Sequence, residues 1–280
     1  MSLTLAGFRD LIRAEGAAIL AQLPALSADD WGRPSPCGGW DVLDVVVHMQ
    51  LGTMIHVTIV QNAVAGRMEA PWDVPDGQDP SAWFKQVHRE AHGDGPVANI
   101  ERLAEQLARY DAALANASDD QLSEPPWFYG LPATLASVIT AYTFDLVVHT
   151  SDIRRPVGLE PWFSPAATLF AGPATLPFLP FFVTGDGLNG AAGVVRQEID
   201  GAITFATLGP AGMTLADVET DAAAASGPVE PGATLVTDGG TWALLSWRSL
   251  PIAEAEQLGR PTVTGDRSVV ARYLGAIKTP

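Results

Sequence analysis

Apolar residues recur every three to four positions from residue 5 to 23, placing Leu5, Phe8, Leu11, Ile12, Ile19, Leu20 and Leu23 near one face. That spacing predicts an amphipathic helix. A Pro/Gly/Ser-rich stretch, SADDWGRPSPCGG, then predicts a loop over 27–39. Asp41 can cap a second helix with Asp44 three residues on, an acidic form of the capping box. This helix runs through VLDVVVHMQLGTMIHVTIVQNAVAG, apolar on nearly every side, so it belongs in a core. Prolines and aspartates predict a loop over 70–80. A third helix is expected over 81–117, interrupted near the HGDGP at 92–96, and a fourth over about 131–155 after a loop marked by Pro125, Pro126 and Gly130.

Four long helices with connections of this length suit a four-helix bundle. The second half has a different period. GVVRQEI, AITFATL, GMTLADV and ATLVTDG are short runs set apart by Gly, Asp and Pro, and read as strands of a small sheet. Helices are expected over 239–250 and 266–277, the latter capped by Asp266. The chain therefore reads as α+β with two domains, an all-α bundle over 1–158 and an α+β domain over 159–280.

Composition narrows the partners. The 16 basic and 32 acidic residues leave a formal charge of −16, which disfavours nucleic acid or an anionic membrane surface. A single cysteine, Cys37, excludes an internal disulfide or a cysteine-cluster metal site. Residues 162–184 carry no charge, but Pro165, Pro173, Pro177 and Pro180 interrupt them. Interior prolines remove hydrogen bonds that lipid cannot replace, so a proline-broken buried helix is expected there, not a membrane span. No basic segment followed by an apolar run opens the sequence. A soluble, cytoplasmic protein, monomeric or weakly dimeric, is expected.

Two of the five histidines interrupt strongly apolar helices: His48 in DVVVHMQL and His149 in FDLVVHTSD. A lone histidine in such a place is ordinarily a hydrogen-bonded core residue. Asp145 changes the weighing, because it lies four residues before His149 and so shares its helix face at roughly 6 Å. Carboxylate and imidazole at that spacing, with a ligand from a facing helix, are how bundles build metal sites, and His48 is the facing candidate. His56 is a weaker one, about 12 Å further along the helix and some 80° round it. Asp152 can orient His149 from behind, as metal-bound histidines require, or pair with Arg155. Cys37, with no histidine near it in sequence, reads as structural.

The strings RPSPCGGWDVLDVVVHMQ and FDLVVHTSDIRRPVG resemble the mycothiol-dependent maleylpyruvate isomerase family. Its first motif carries Pro, Cys and Gly-Trp before a histidine-bearing helix, matched here by Pro36, Cys37, Gly39, Trp40 and His48. Its second motif is matched by Asp145, Leu146 to Val148 and His149. Late segments such as TWALLSWRS and PTVTGDRSVVARYLGAI look like the family's C-terminal domain, so the resemblance covers nearly the whole chain. It implies a DinB-like four-helix bundle, a sterol-carrier-like C-terminal domain, and a divalent metal, most often zinc, on His48, Asp145 and His149. The acidic ligand is commonly Glu in the family and is Asp here. Ser151 stands where the pattern often has Trp.

The resemblance further implies that a low-molecular-weight thiol, mycothiol or a similar one, is activated on the metal and attacks a small electrophile. Addition to a conjugated double bond, rotation and elimination give isomerisation; opening an epoxide or displacing a leaving group gives thiol transfer. Two other classes remain open: a metal-dependent hydrolase using bound water, and a small-molecule or lipid-binding protein with a structural metal. Arg33, Arg196, Arg248, Arg260 and Arg267 are available to hold an anionic substrate, and the sequence does not choose among them.

Overall fold

Thr4, Asp41 and Thr134 each stand just before a long helix and turn a side-chain oxygen onto an N–H of the first turn, satisfying donors with no partner inside the helix. The computed structural model describes residues 4–72, 74–75, 78–128, 132–160, 162–176, 179, 183, 192–209, 212–217, 231–247 and 249–277. They form two compact units, Met1–Ser164 and Pro165–Pro280.

The first unit contains α1 (Leu5–Gln22), a single turn α2 (Ala28–Trp31), α3 (Val42–Val64), α4 (Pro80–Gly93), α5 (Gly95–Ala115) and α6 (Leu135–Arg154). α3 and α1 each pack between α5 and α6, closing a four-helix arrangement with α4 laid against α3 and α5. α3 alone among the described helices is long and apolar enough to cross a membrane, yet 67% of its most apolar window is buried inside the unit. Core burial accounts for its composition. Ile12, Ile19, Leu23, Leu103, Leu114, Leu135 and Ile139 are among the fully buried side chains. At about 1.5–3 kcal/mol each, such side chains are the main stabilising term.

The interruption expected near 92–96 divides the third helix into α4 and α5, where Gly95 adopts φ +82° and Pro96 has no N–H to continue the ladder. Two sequence expectations need correction here. The 27–39 loop contains α2, held by a capping box between Ser27 and Asp30. The fourth helix starts at Leu135; Gly130 and Leu131 lie outside the described residues.

In the second unit, α7 (Pro165–Thr175) precedes β1 (Gly193–Ile199), β2 (Ala202–Gly209), β3 (Gly212–Asp217) and β4 (Ala233–Thr237). Then come α8 (Gly239–Ser246), α9 (Ile252–Gln257), β5 (Thr262–Gly265) and α10 (Arg267–Ala276). The strand order is β3-β2-β1-β4-β5, parallel only between β1 and β4. Val195, Gln197 and Ile199 alternate inward from β1. A two-residue Asp200-Gly201 turn, both at positive φ, joins β1 to β2 in the manner of a tight hairpin. Neither α9 nor β5 is apparent from the sequence pattern. The uncharged 162–184 segment contains α7 with Pro173 inside it, while Pro177, Pro180 and Thr184 fall outside the described residues.

α7 and α8 meet at glycine. A Cβ on Gly239 would strike the Thr168 carbonyl and sit 2.9 Å from the Gly172 nitrogen, and one on Gly172 would sit 2.8 Å from an Ile199 methyl. Asp200 Oδ2 accepts from the Gly239 N–H at 2.9 Å, filling the space that no side chain at 239 can enter.

Candidate metal centre

α3 and α6 pack directly on each other, bringing His48 to Asp145 and His149. His48 Nε2 lies 3.6 Å from Asp145 Oδ2, and His149 Nε2 lies 3.2 Å from Asp145 Oδ1. The two imidazoles stand edge to face with centroids 4.7 Å apart. One donor atom from each of the three residues lies within 4.8 Å of the others. A tetrahedral ion with bonds of about 2.1 Å sets its donors about 3.4 Å apart, so two nitrogens and a carboxylate at these separations fit a divalent cation.

Exposure is graded across the three. His149 is buried, whereas the side chains of His48 and Asp145 retain 35% and 26% of their exposure. One flank is therefore open. Gly52, one turn beyond His48, contributes to that opening: a Cβ there would meet only Asp145 Oδ2, at 3.8 Å. Trp40 closes another side, its ring 5.0 Å from that of His48.

Behind His149, Asp152 Oδ2 lies 3.1 Å from Nδ1 and is itself buried. Asp152 thus faces His149 and not Arg155, whose guanidinium stacks over Trp162. The Cys37 thiol also donates to Asp152 Oδ2 at 3.3 Å and lies 3.7 Å from His149 Nδ1. Burial pushes that thiol up from its ordinary value, with the Asp152 charge adding to the effect, so Cys37 is a proton-bearing donor. Its place beside His149 escapes a sequence reading because 112 residues separate the two.

Burial alone would depress the His149 imidazole, but the Asp145 charge, with hydrogen bonds to Asp145 and Asp152, raises it well above its usual range. Asp145 shows the reciprocal effect. Burial would raise its carboxyl, and His149 and His48 outweigh this and hold it well below the usual value. The pocket is arranged around positive charge, which a metal at Nε2 would supply in place of a proton.

His56 does not join the group. Its Nδ1 lies 2.8 Å from the Gly52 carbonyl, which can only accept, and its ring rests 5.0 Å from that of Tyr142. Of the arginines, Arg33 pairs with Asp30, Arg196 with Glu198 and Arg267 with Glu256. Arg248 lies outside the described residues.

The fold has solved counterparts. The crystal structure of the mycothiol-dependent maleylpyruvate isomerase superposes with a TM-score of 0.58 at 12% identity, over 88% of this chain and 90% of that one. A mutant of that enzyme with a histidine changed to alanine gives 0.56 over the same shares, again at 12% identity. No curated protein sequence is detectably similar to this one. Residues 12–154, just over half the chain, match the model of the mycothiol maleylpyruvate isomerase N-terminal domain. The chain belongs to that family.

Proposed function

We propose that the protein is a thiol-dependent enzyme of the maleylpyruvate isomerase type, holding a divalent metal, zinc by preference, on His48, Asp145 and His149. The observation that carries this reading is the three-donor cluster with one open flank, since catalytic zinc sites keep a position free of protein ligands. A metal bound there would lower the pKa of a thiol such as mycothiol and supply a thiolate near neutral pH. The chain's own residues prepare the site. Asp152 accepts the Nδ1–H of His149, which selects the tautomer with a lone pair on Nε2. Asp145 spans both histidines with its two oxygens, and the absence of a side chain at Gly52 leaves room for the incoming thiol and a small electrophile.

The test is a thiol-dependence screen on the zinc-loaded protein, offering mycothiol, glutathione and bacillithiol with maleylpyruvate and generic electrophiles. Turnover should require a thiol and disappear both on chelation and in His149→Ala, while circular dichroism of that variant stays helical, because the bundle core does not depend on metal. Hydrolysis that proceeds without any thiol would overturn the proposal in favour of metal-bound water. A co-purified ligand with a closed four-ligand metal shell would favour a binding protein.

A further inference from the structure

We infer that a second divalent transition-metal ion is held where α4 meets the start of α3, on His92, Asp41 and Asp44, with His88 beside them. The capping box of α3 uses only half of each carboxylate. Asp41 Oδ1 accepts the Asp44 N–H at 2.8 Å, and Asp44 Oδ2 accepts the Asp41 N–H at 3.1 Å. The other two oxygens, Asp41 Oδ2 and Asp44 Oδ1, meet the histidines of α4. His92 Nε2 lies 3.4 Å from Asp41 Oδ2 and 3.8 Å from Asp44 Oδ1, and His88 Nδ1 lies 3.7 Å from Asp44 Oδ1. Donor atoms of Asp41, Asp44 and His92 all lie within 4.8 Å of one another. His88 and His92, four apart on one helix, share a face.

The alternative is a set of direct ion pairs, and the distances speak against it. Charge-assisted N–H···O bonds run at about 2.7–2.9 Å, and these contacts are all longer, close instead to the roughly 3.4 Å between two ligands of one zinc ion. His88 stands beside this cluster, with Nε2 3.2 Å from the Asp44 carbonyl oxygen, which only accepts, so Nε2 donates there. An imidazole with two carboxylates suits zinc, cobalt or nickel over calcium or magnesium.

The two centres are neighbours without sharing a ligand. Trp40 lies between them, 5.0 Å from the His48 ring and 5.3 Å from the His88 ring. An ion on the second site would pin α4 to the first turn of α3 beside that tryptophan.

Titrating the metal-stripped full-length protein with zinc, by calorimetry and elemental analysis, tests this. Wild type should bind two ions per chain, His88→Ala/His92→Ala one, His149→Ala one, and the combined variant none. The capping aspartates stay in place, so the start of α3 is not disturbed, and circular dichroism checks the fold of each variant. Cobalt absorption in His149→Ala should show an ion on nitrogen and oxygen ligands that the triple variant lacks. A single ion in wild type that persists in His88→Ala/His92→Ala would overturn the inference. A single ion lost from that double variant but kept in His149→Ala would uphold it and sink the proposed thiol site instead.

Discussion

Asp152 grips His149 from the side opposite Asp145, with Oδ2 3.1 Å from Nδ1 while Asp145 Oδ1 stands 3.2 Å from Nε2. The ring is thereby held at both nitrogens, each by a different carboxylate. Asp152→Ala should weaken zinc binding 10–100-fold, the usual cost of losing the group behind a ligand histidine, with the helical signal kept. Asp152→Asn retains an acceptor for Nδ1–H and should lose less. Calorimetric titration of the two variants reads the difference, and equal affinities with wild type would remove Asp152 from the site.

Asp145 reaches both His48 and His149 with a side chain one methylene shorter than the glutamate common in the family. Asp145→Glu should keep zinc within roughly tenfold of wild type, about 1.4 kcal/mol, because the open space over Gly52 can take the extra length. A loss beyond a hundredfold would mean that the helix spacing is tuned to aspartate.

Gly52 carries a helix-interior penalty of about 0.5–1 kcal/mol relative to alanine. Gly52→Ala should therefore raise stability by that order in urea unfolding and leave zinc affinity unchanged, since its Cβ would sit 3.8 Å from Asp145 Oδ2, an ordinary contact. Gly52→Leu should still bind zinc and fail to turn over substrate. Full activity in the leucine variant would place the thiol entry elsewhere.

Asp111 on α5 takes hydrogen bonds from Arg9 and Arg13 on α1. Burial would raise its carboxyl, but the two arginines more than offset this and hold it below the usual aspartate value. A depressed folded value means that the stabilisation is complete above the unfolded value, near about 4, and is lost as pH falls through the folded one. Asp111→Asn should cost about 1 kcal/mol or less at pH 7, as partly exposed pairs do. The gap from wild type should close in acid. Thermal unfolding at a series of pH values checks this, and a gap that persists at pH 2 would contradict it.

The site triad was legible because its signals are local: Asp145 and His149 are one helical turn apart, and His48 interrupts an apolar helix. Cys37 was not, since its relation to His149 exists only once α3 and α6 are packed. The same limit hid the second cluster, where His88 and His92 show helical spacing but nothing in the chain says that they face Asp41 and Asp44. Strand existence in the second unit followed from alternation and turn residues. The parallel pairing of β1 with β4 did not, because β4 enters only after β2 and β3. The break at Gly95 was visible in its Gly-Pro pair, whereas α2 is short enough that its capping serine and aspartate were lost among loop-forming neighbours.

The glycine crossing of α7 and α8 bears on how this chain tolerates change over time. Ile199's methyl, the nearest obstacle at position 172, belongs to a side chain that can rotate away, although the Gly239 Cα stands 3.1 Å off. The obstacles at 239 include main-chain atoms of α7 that cannot move without the whole helix. Random drift can thus try alanine at 172 and survive by small adjustments, while at 239 every non-glycine trial must part the two helices and pull the Gly239 N–H from Asp200. The crossing is a one-sided lock: the two glycines touch each other, yet no second-site substitution clears the way for a side chain at 239, because the Thr168 carbonyl and the Gly172 nitrogen that it meets are main-chain atoms.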